Sequence, residues 1–242
     1  MNQFNWKERS IVIPIGKEPV TQRQWLFQKY YEDLFKPLAV SRKEILEIGC
    51  GRCTLGQYFA RDGKSVECTD IEQEAVELAR ANFNNEGLQG KFKRVNATYM
   101  PYGKYDRKYK DMIISVGLIE HLNHGEWHKI FFEAYRALRP GGVLAMINVP
   151  KKFSIQTFFQ KHDHYHREET TPEEYVKVAK QAGFDIVKYI YVNPFPLLEV
   201  ERHEQRVVRV FKFIYWLRSF FTKQPIVGSK RWGQAHLLIC LK

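Results

Sequence analysis

The run Leu46-Glu47-Ile48-Gly49-Cys50-Gly51 ends an apolar stretch in a glycine-rich turn, and a helical pattern opens at Thr54. Glycines let backbone N–H groups come close to a ligand, and the amino end of a helix favours negative charge there. A Gly-x-Gly turn alone serves many nucleotides. It gains meaning from Asp70, nineteen residues beyond Gly51 at the end of the next predicted strand. A carboxylate there can accept hydrogen bonds from both hydroxyls of a ribose.

Other residues could act on a second substrate. Glu120-His121 follows the apolar run 111–116, and a neutral His121 can take a proton from a hydroxyl. His162, His164 and His166 fall on one side only if their segment is extended. They read as a lid over the substrate, with His166 a second catalytic candidate. Cys50 and Cys53 have the spacing of a redox or zinc pair, but no second cysteine pair lies at zinc spacing. They read as small residues in a tight turn. The four cysteines, at 50, 53, 68 and 240, are too few and too irregular for a disulfide framework, so a reducing, cytoplasmic setting is expected.

The elements around these residues alternate. Apolar runs predict strands over 44–50, 65–69, 91–95, 111–116, 143–149, 184–192 and 235–241. Helical patterns fall over 21–36, 54–62, 72–84, 126–138 and 171–182. Pro37 stops the first helix, Arg139-Pro140-Gly141-Gly142 turns the chain after the fourth, and Thr171-Pro172 starts the fifth. Strands alternating with crossover helices predict an α/β, doubly wound, mostly parallel sheet. The length suits one domain over 1–242, with a helical cap over 1–40, a lid loop over 150–170 and a helical insert over 194–234.

These pieces together resemble the class I S-adenosylmethionine-dependent methyltransferases, in particular the small-molecule branch of ubiquinone and menaquinone biosynthesis. The resemblance rests on Glu47-x-Gly49-x-Gly51, Asp70, Asn96-Ala97, Asp111 leading to Glu120-His121, Arg139-Pro140-Gly141-Gly142, and Thr171-Pro172-Glu173 leading to Gly183-Phe184. It implies the Rossmann-like methyltransferase fold, a seven-stranded sheet whose last strand is antiparallel, and S-adenosylmethionine as cofactor. It also implies roles. Glu47 holds the amino group of the methionine end, and Gly49, Cys50 and Gly51 form the loop. Asp70 takes the ribose, Ile71 packs on adenine, Asn96-Ala97 reach the adenine edge, and Ser115-Val116 line the methionine. The family often has a third glycine where this chain has Cys53, and Asp where it has Asn96. Some quinone-pathway relatives bind a divalent metal at Glu-x-x-Glu-His; Gly117 stands at the first Glu position, so no metal is assigned.

A dehydrogenase would want a further glycine where Thr54 stands. The expected function is methyl transfer to a small hydrophobic or lipid-like acceptor, at oxygen ahead of nitrogen or carbon. The formal charge of +11 makes RNA or another nucleic acid the second reading. Against it, Ser115-Val116-Gly117-Leu118 is not the Asn-Pro-Pro-Tyr type of exocyclic-amine enzymes. A non-catalytic, cofactor-binding scaffold is the third. Over 202–223, helical spacing puts Val207, Val210, Phe211, Ile214, Leu217 and Phe221 on an apolar face expected to be core. Arg202, Arg206, Arg209 and Lys212, joined by Phe213, Trp216 and Phe220, lie opposite. That side predicts a lid, a homodimer contact or peripheral contact with a membrane.

Overall fold

The computed structural model describes residues 21–103, 109–148, 171–192, 204–221 and 235–242. The lid histidines, His166 among them, the start of the N-terminal cap and the flanks of the insert lie outside these residues.

Seven strands form one sheet: β1 (Glu44–Ile48), β2 (Ser65–Asp70), β3 (Lys91–Arg94), β4 (Lys110–Val116), β5 (Leu138–Asn148), β6 (Ile186–Val192) and β7 (Ala235–Leu241). Their order is β3-β2-β1-β4-β5-β7-β6. β1 to β5 run parallel, and β7 is antiparallel to both β5 and β6. The chain enters at β1, winds out to β3 and returns to β4 on the other side of β1. That reversal opens a crevice at the carboxyl ends of β1 and β4.

The helices are α1 (Gln22–Tyr30), α2 (Thr54–Arg61), α3 (Gln73–Asn85), α4 (His124–Ala137), α5 (Pro172–Gln181) and α6 (Glu204–Ser219). Capping boxes start α1, α4 and α5 at Thr21, Asn123 and Thr171, each answered three residues later by Gln or Glu. Because side chains alternate across a strand, the sheet builds two cores. Ile45, Cys68, Ile114 and Ala145 join Leu55, Phe59 and Phe83 on one face. Leu46, Ile113, Leu144 and Leu238 join Trp127, Phe131 and Tyr175 on the other.

Three local expectations change. The first helix passes from α1 into a π-helical turn over Tyr31–Phe35, where Tyr31 stacks on Tyr58 at 5.4 Å and anchors the segment to α2. The Pro-Gly-Gly turn is a bulge inside β5: Lys110 pairs with Leu138 and Met112 with Val143, so residues 139–142 loop out. Arg139 there meets Asp111 at 2.7 Å, and Asp111 accepts the N–H groups of Lys43 and Glu44 at the head of β1.

The third change is in α6. Val210, Ile214, Leu217 and Phe221, expected in the core, are exposed by 42% to 83%. Of the expected face only Phe211 is buried and Val207 partly so; Val208 joins them against Trp25, with Tyr215 edge-on to the same indole at 4.8 Å. The partner surface decided the facing: of α1 it is Trp25 that packs with α6, and only a narrow stripe of α6 reaches it.

Candidate cofactor site

β1 ends at Ile48 and the chain turns through Gly49 and Gly51, both at positive φ (60° and 51°). A Cβ on Gly49 would stand 2.8 Å from a methyl carbon of Leu118, so glycine lets the loop after β4 close against the loop after β1. Cys53 is also left-handed, at φ 52°, which accounts for the family's preference for glycine there. Helix α2 starts one residue later.

The loop is tied to β2. Gly51 N–H donates to Asp70 Oδ2 at 2.9 Å, Cys50 N–H donates to Thr69 O at 3.0 Å, and Glu72 N–H donates to Asp70 Oδ1 at 3.0 Å. Asp70 is buried at the strand end with its carboxylate fixed by backbone on both sides. Each oxygen keeps lone-pair capacity for a further donor such as a ribose hydroxyl.

Cys53 and Cys68 are joined by a disulfide, contrary to the reading of these thiols as unpaired. The pairing needs the loop after β1 folded back over β2, a proximity that spacing along the chain does not reveal. Cys50, the other half of the Cys-x-x-Cys spacing, stays a free thiol, and burial pushes its pKa up, so it remains protonated and unreactive.

Glu47 lies under this loop, 4% exposed. Its Oε2 accepts the N–H of Gly56 at 2.8 Å. Cys53 Sγ approaches the same oxygen at 3.1 Å, but a disulfide sulfur has no proton to donate. Burial pushes the carboxyl up to about 8, against the lowering effect of Gly56 N–H and with a further rise from Asp70. Glu47, Cys53 and Cys68 are close enough to share a cation, yet the two sulfurs are spent on each other. Gly56 is a residue the sequence reading missed: a Cβ there would meet Cys53 Sγ at 2.5 Å and Glu47 Oε2 at 2.8 Å. A glycine inside a helical pattern was its signal.

The remaining predicted residues lie around the crevice. Ile71 is 50% exposed beside Asp70, as an apolar platform for a flat ring would be. Asn96 is exposed after β3; its Oδ1 accepts the N–H and hydroxyl of Thr98, which leaves its NH2 to meet a base edge. Ala97 is partly buried. Ser115, fully buried, donates its hydroxyl to Ile48 O at 3.0 Å and so joins β4 to β1 at the crevice, with Val116 following half-buried.

Beyond β4, Gly117 takes φ 73°, where a glutamate would be strained, and its N–H donates to Ile147 O. A short 3-10 turn over Ile119–His121 follows, with Glu120 buried and His121 exposed. Trp127 Nε1 donates to Ile119 O and Leu122 O, at 2.9 and 3.0 Å, and pins that turn. A buried polar pair that no sequence pattern signals joins β5 to β7: Asn148 Nδ2 and His236 Nε2 are 3.3 Å apart, and Tyr175 covers the imidazole. Burial lowers the His236 pKa to about 4, so the ring is neutral at pH 7. A groove between α4 and α5, lined by His124, His128, Glu174 and Lys177, contains none of the predicted site residues.

Two acids at neighbouring strand ends, a left-handed glycine loop between them and an exposed apolar residue beside the second acid fit a nucleoside carrying an amino-acid tail. Residues 45–142 match the family model of the methyltransferase domain. The chain carries this domain and is an S-adenosylmethionine-dependent methyltransferase.

Among curated proteins it is similar to the ubiquinone biosynthesis O-methyltransferase of Dinoroseobacter shibae, 24% identical over 197 residues that cover 76% of this chain and 77% of the relative. The protein of the same name from Hydrogenovibrio crunogenus is 21% identical over 70% of this chain and 73% of its own length. Among solved structures, an Archaeoglobus fulgidus SAM-dependent methyltransferase aligns over 91% of this chain and 95% of its own, with TM-score 0.62 and 18% identity. A Clostridium acetobutylicum one aligns over 89% and 92%, with TM-score 0.63 and 12% identity. At such identities these structures speak for the fold.

Proposed function

We propose that this methyltransferase acts on a hydroxyl of a small, hydrophobic or lipid-like acceptor, with His121 as the base. The observation that carries the reading is the pair of buried acids, Glu47 and Asp70, on either side of the loop tied by Gly51 N–H to Asp70. Glu47 is suited to the ammonium of the methionine end, Asp70 to the ribose, Asn96 and Ile71 to the adenine, and Ser115 and Val116 to the methionine side. The bound cofactor supplies a methyl group on a positively charged sulfur, and transfer is an in-line displacement. With the cofactor held there, His121 would take the proton that the acceptor hydroxyl gives up as its oxygen is methylated.

Placement of the acceptor is the larger share of such catalysis. His121 stands on the turn after β4, at the same edge of the sheet as Ser115, and Gly117 and Trp127 fix that turn. The name shared by the curated relatives supports oxygen as the accepting atom and a quinone-like ring as the class of acceptor.

The test is transfer of labelled methyl from the cofactor to a lipid extract and, in parallel, to total RNA. Label in the lipid fraction is the expected result; label confined to RNA replaces the reading with the one prompted by the +11 charge. No transfer to any fraction despite cofactor binding leaves the scaffold reading. His121→Gln is expected to lower kcat by about 100-fold or more with cofactor affinity unchanged. An unchanged kcat removes His121 as the base.

A further inference from the structure

Helix α6 has two apolar faces and the fold uses one. Its inner stripe, Val208 and Phe211, is 3% and 1% exposed against Trp25, whose ring lies 5.3 Å from that of Phe211. The outer face of its second half and the turn beyond keep Phe213, Trp216, Leu217, Phe220 and Phe221 exposed by 60%, 56%, 46%, 66% and 83%. Phe213, Trp216 and Phe220 lie against one another at 5.8 and 4.8 Å, in a continuous aromatic ridge. Such a ridge on one helix exceeds the scattered apolar residues that any surface carries, and it marks a binding face.

We propose that this face docks the protein onto the surface of an anionic lipid bilayer. The charges around the ridge choose the occupant. Arg206, Arg209 and Lys212 are exposed on the turns that lead into it, and the one acid of the helix is Glu204 at its start. At about 100° per residue, Arg206 and Arg209 fall in line with the ridge, one to two turns before it, and Lys212 falls to one side of it. Apolar side chains can then sink below the headgroups while cations stay among the phosphates, and Trp216 takes the interfacial position that indoles favour.

A second copy of the chain would match the apolar surface but not the charge, because two chains of formal charge +11 would meet with their arginines together. Spanning is excluded for this helix: no helix among the described residues is long and apolar enough to cross a membrane. In-plane docking remains. It would bring an acceptor dissolved in the bilayer to the protein, but docking depends on α6 alone, whichever acceptor is methylated.

The experiment is flotation of the purified chain with vesicles of equal parts phosphatidylglycerol and phosphatidylcholine, and with phosphatidylcholine alone. The parent is expected to float with the anionic vesicles, less so as salt is raised, and to stay behind with the neutral ones. The double variant Trp216→Ser/Phe220→Ser is expected to bind at least about tenfold more weakly. Retention of cofactor binding by that variant establishes that it is folded. Phe132→Ser, which removes an exposed aromatic from α4, is expected to float like the parent. The proposal falls if the parent does not float, if neutral vesicles serve equally, or if the double variant floats undiminished. It falls also if light scattering shows a lipid-indifferent dimer that the same substitutions split, which would give the ridge to a second copy. Loss of methyl transfer with flotation intact would count against the proposed function and leave this inference standing.

Discussion

If Glu47 holds the ammonium of the methionine end, as proposed, its charge state must change when the cofactor binds. Its carboxyl is pushed up to about 8 by burial, so it is mostly neutral at pH 7, whereas an ammonium partner requires the ionised form. Binding at pH 7 is therefore expected to release about one proton per cofactor, read by calorimetry in buffers of different ionisation enthalpy. Glu47→Gln should bind more weakly and release none; an unchanged proton count in that variant would remove Glu47 from the site. The same shift sets a stability slope. Between its ordinary value of 4.5 and about 8, the folded chain holds a proton that the unfolded chain has lost, so stability without cofactor falls as pH rises through that window. The loss is on the order of a few kcal/mol, and Glu47→Gln should abolish it in thermal melts. Gly56→Ala tests the donor side of the same contact. Its methyl would enter space held by a disulfide sulfur and the Glu47 carboxylate, with an expected loss of about 1–3 kcal/mol in stability and weaker cofactor binding.

Strands β2 and β4 hide an ionic cluster under the sheet. Glu67 accepts from Lys110 Nζ and Lys93 Nζ, each at 2.6 Å, and from the hydroxyl of Tyr102 at 2.8 Å; Glu67 and Lys110 are both buried. Desolvation opposes ionisation of Glu67, but the Lys110 and Lys93 hydrogen bonds prevail and hold its pKa at about 2. The stability this supplies is fully present above the ordinary value of 4.5 and is lost as pH falls through about 2. Acid unfolding followed by circular dichroism is expected to show that loss in the parent. Lys110→Met, which leaves a buried carboxylate short of its buried cation, is expected to cost about 3–5 kcal/mol at pH 7. Glu67→Gln in the same chain should restore part of it, and a purely additive double variant would count against the pairing. Nothing in the sequence announced this cluster, since a charge in a strand pattern ordinarily faces water. The strands themselves were readable because apolar runs such as 111–116 and 235–241 admit few other structures, and Asp70 was readable because its distance from Gly51 measures one βαβ unit. What stayed hidden depended on contacts between distant segments: the inward stripe of α6 chosen by Trp25, the bulge at 139–142, and the partner of Cys53.

The doubly wound topology puts the donor and acceptor sides of the crevice on different footings. The donor side, the loop after β1, is fastened to β2 by Gly51 on Asp70, by Cys50 on Thr69 and by the Cys53–Cys68 bond. The proposed acceptor side rests on the turn after β4, which bends at Gly117 and is held by the Trp127 indole. A fold arranged in this way keeps one half rigid for a constant cofactor while the other half varies with the acceptor. The covalent tie is the part of this arrangement that solution chemistry can remove. It closes a segment with a sequence separation of 15, for which loop-closure entropy gives about 3 kcal/mol of stabilisation. Thiol titration of the unfolded, unreduced protein is expected to find the two free cysteines, Cys50 and Cys240, and reduction should expose the other pair. Reduction should also lower the melting temperature of the parent and weaken cofactor binding, because the loop over Glu47 then keeps only its hydrogen bonds to β2. The Cys53→Ser/Cys68→Ser variant should be indifferent to reductant in both measurements. If all four thiols titrate without reduction, the loop is held by its hydrogen bonds alone, and the parent should then match the variant in its indifference to reductant.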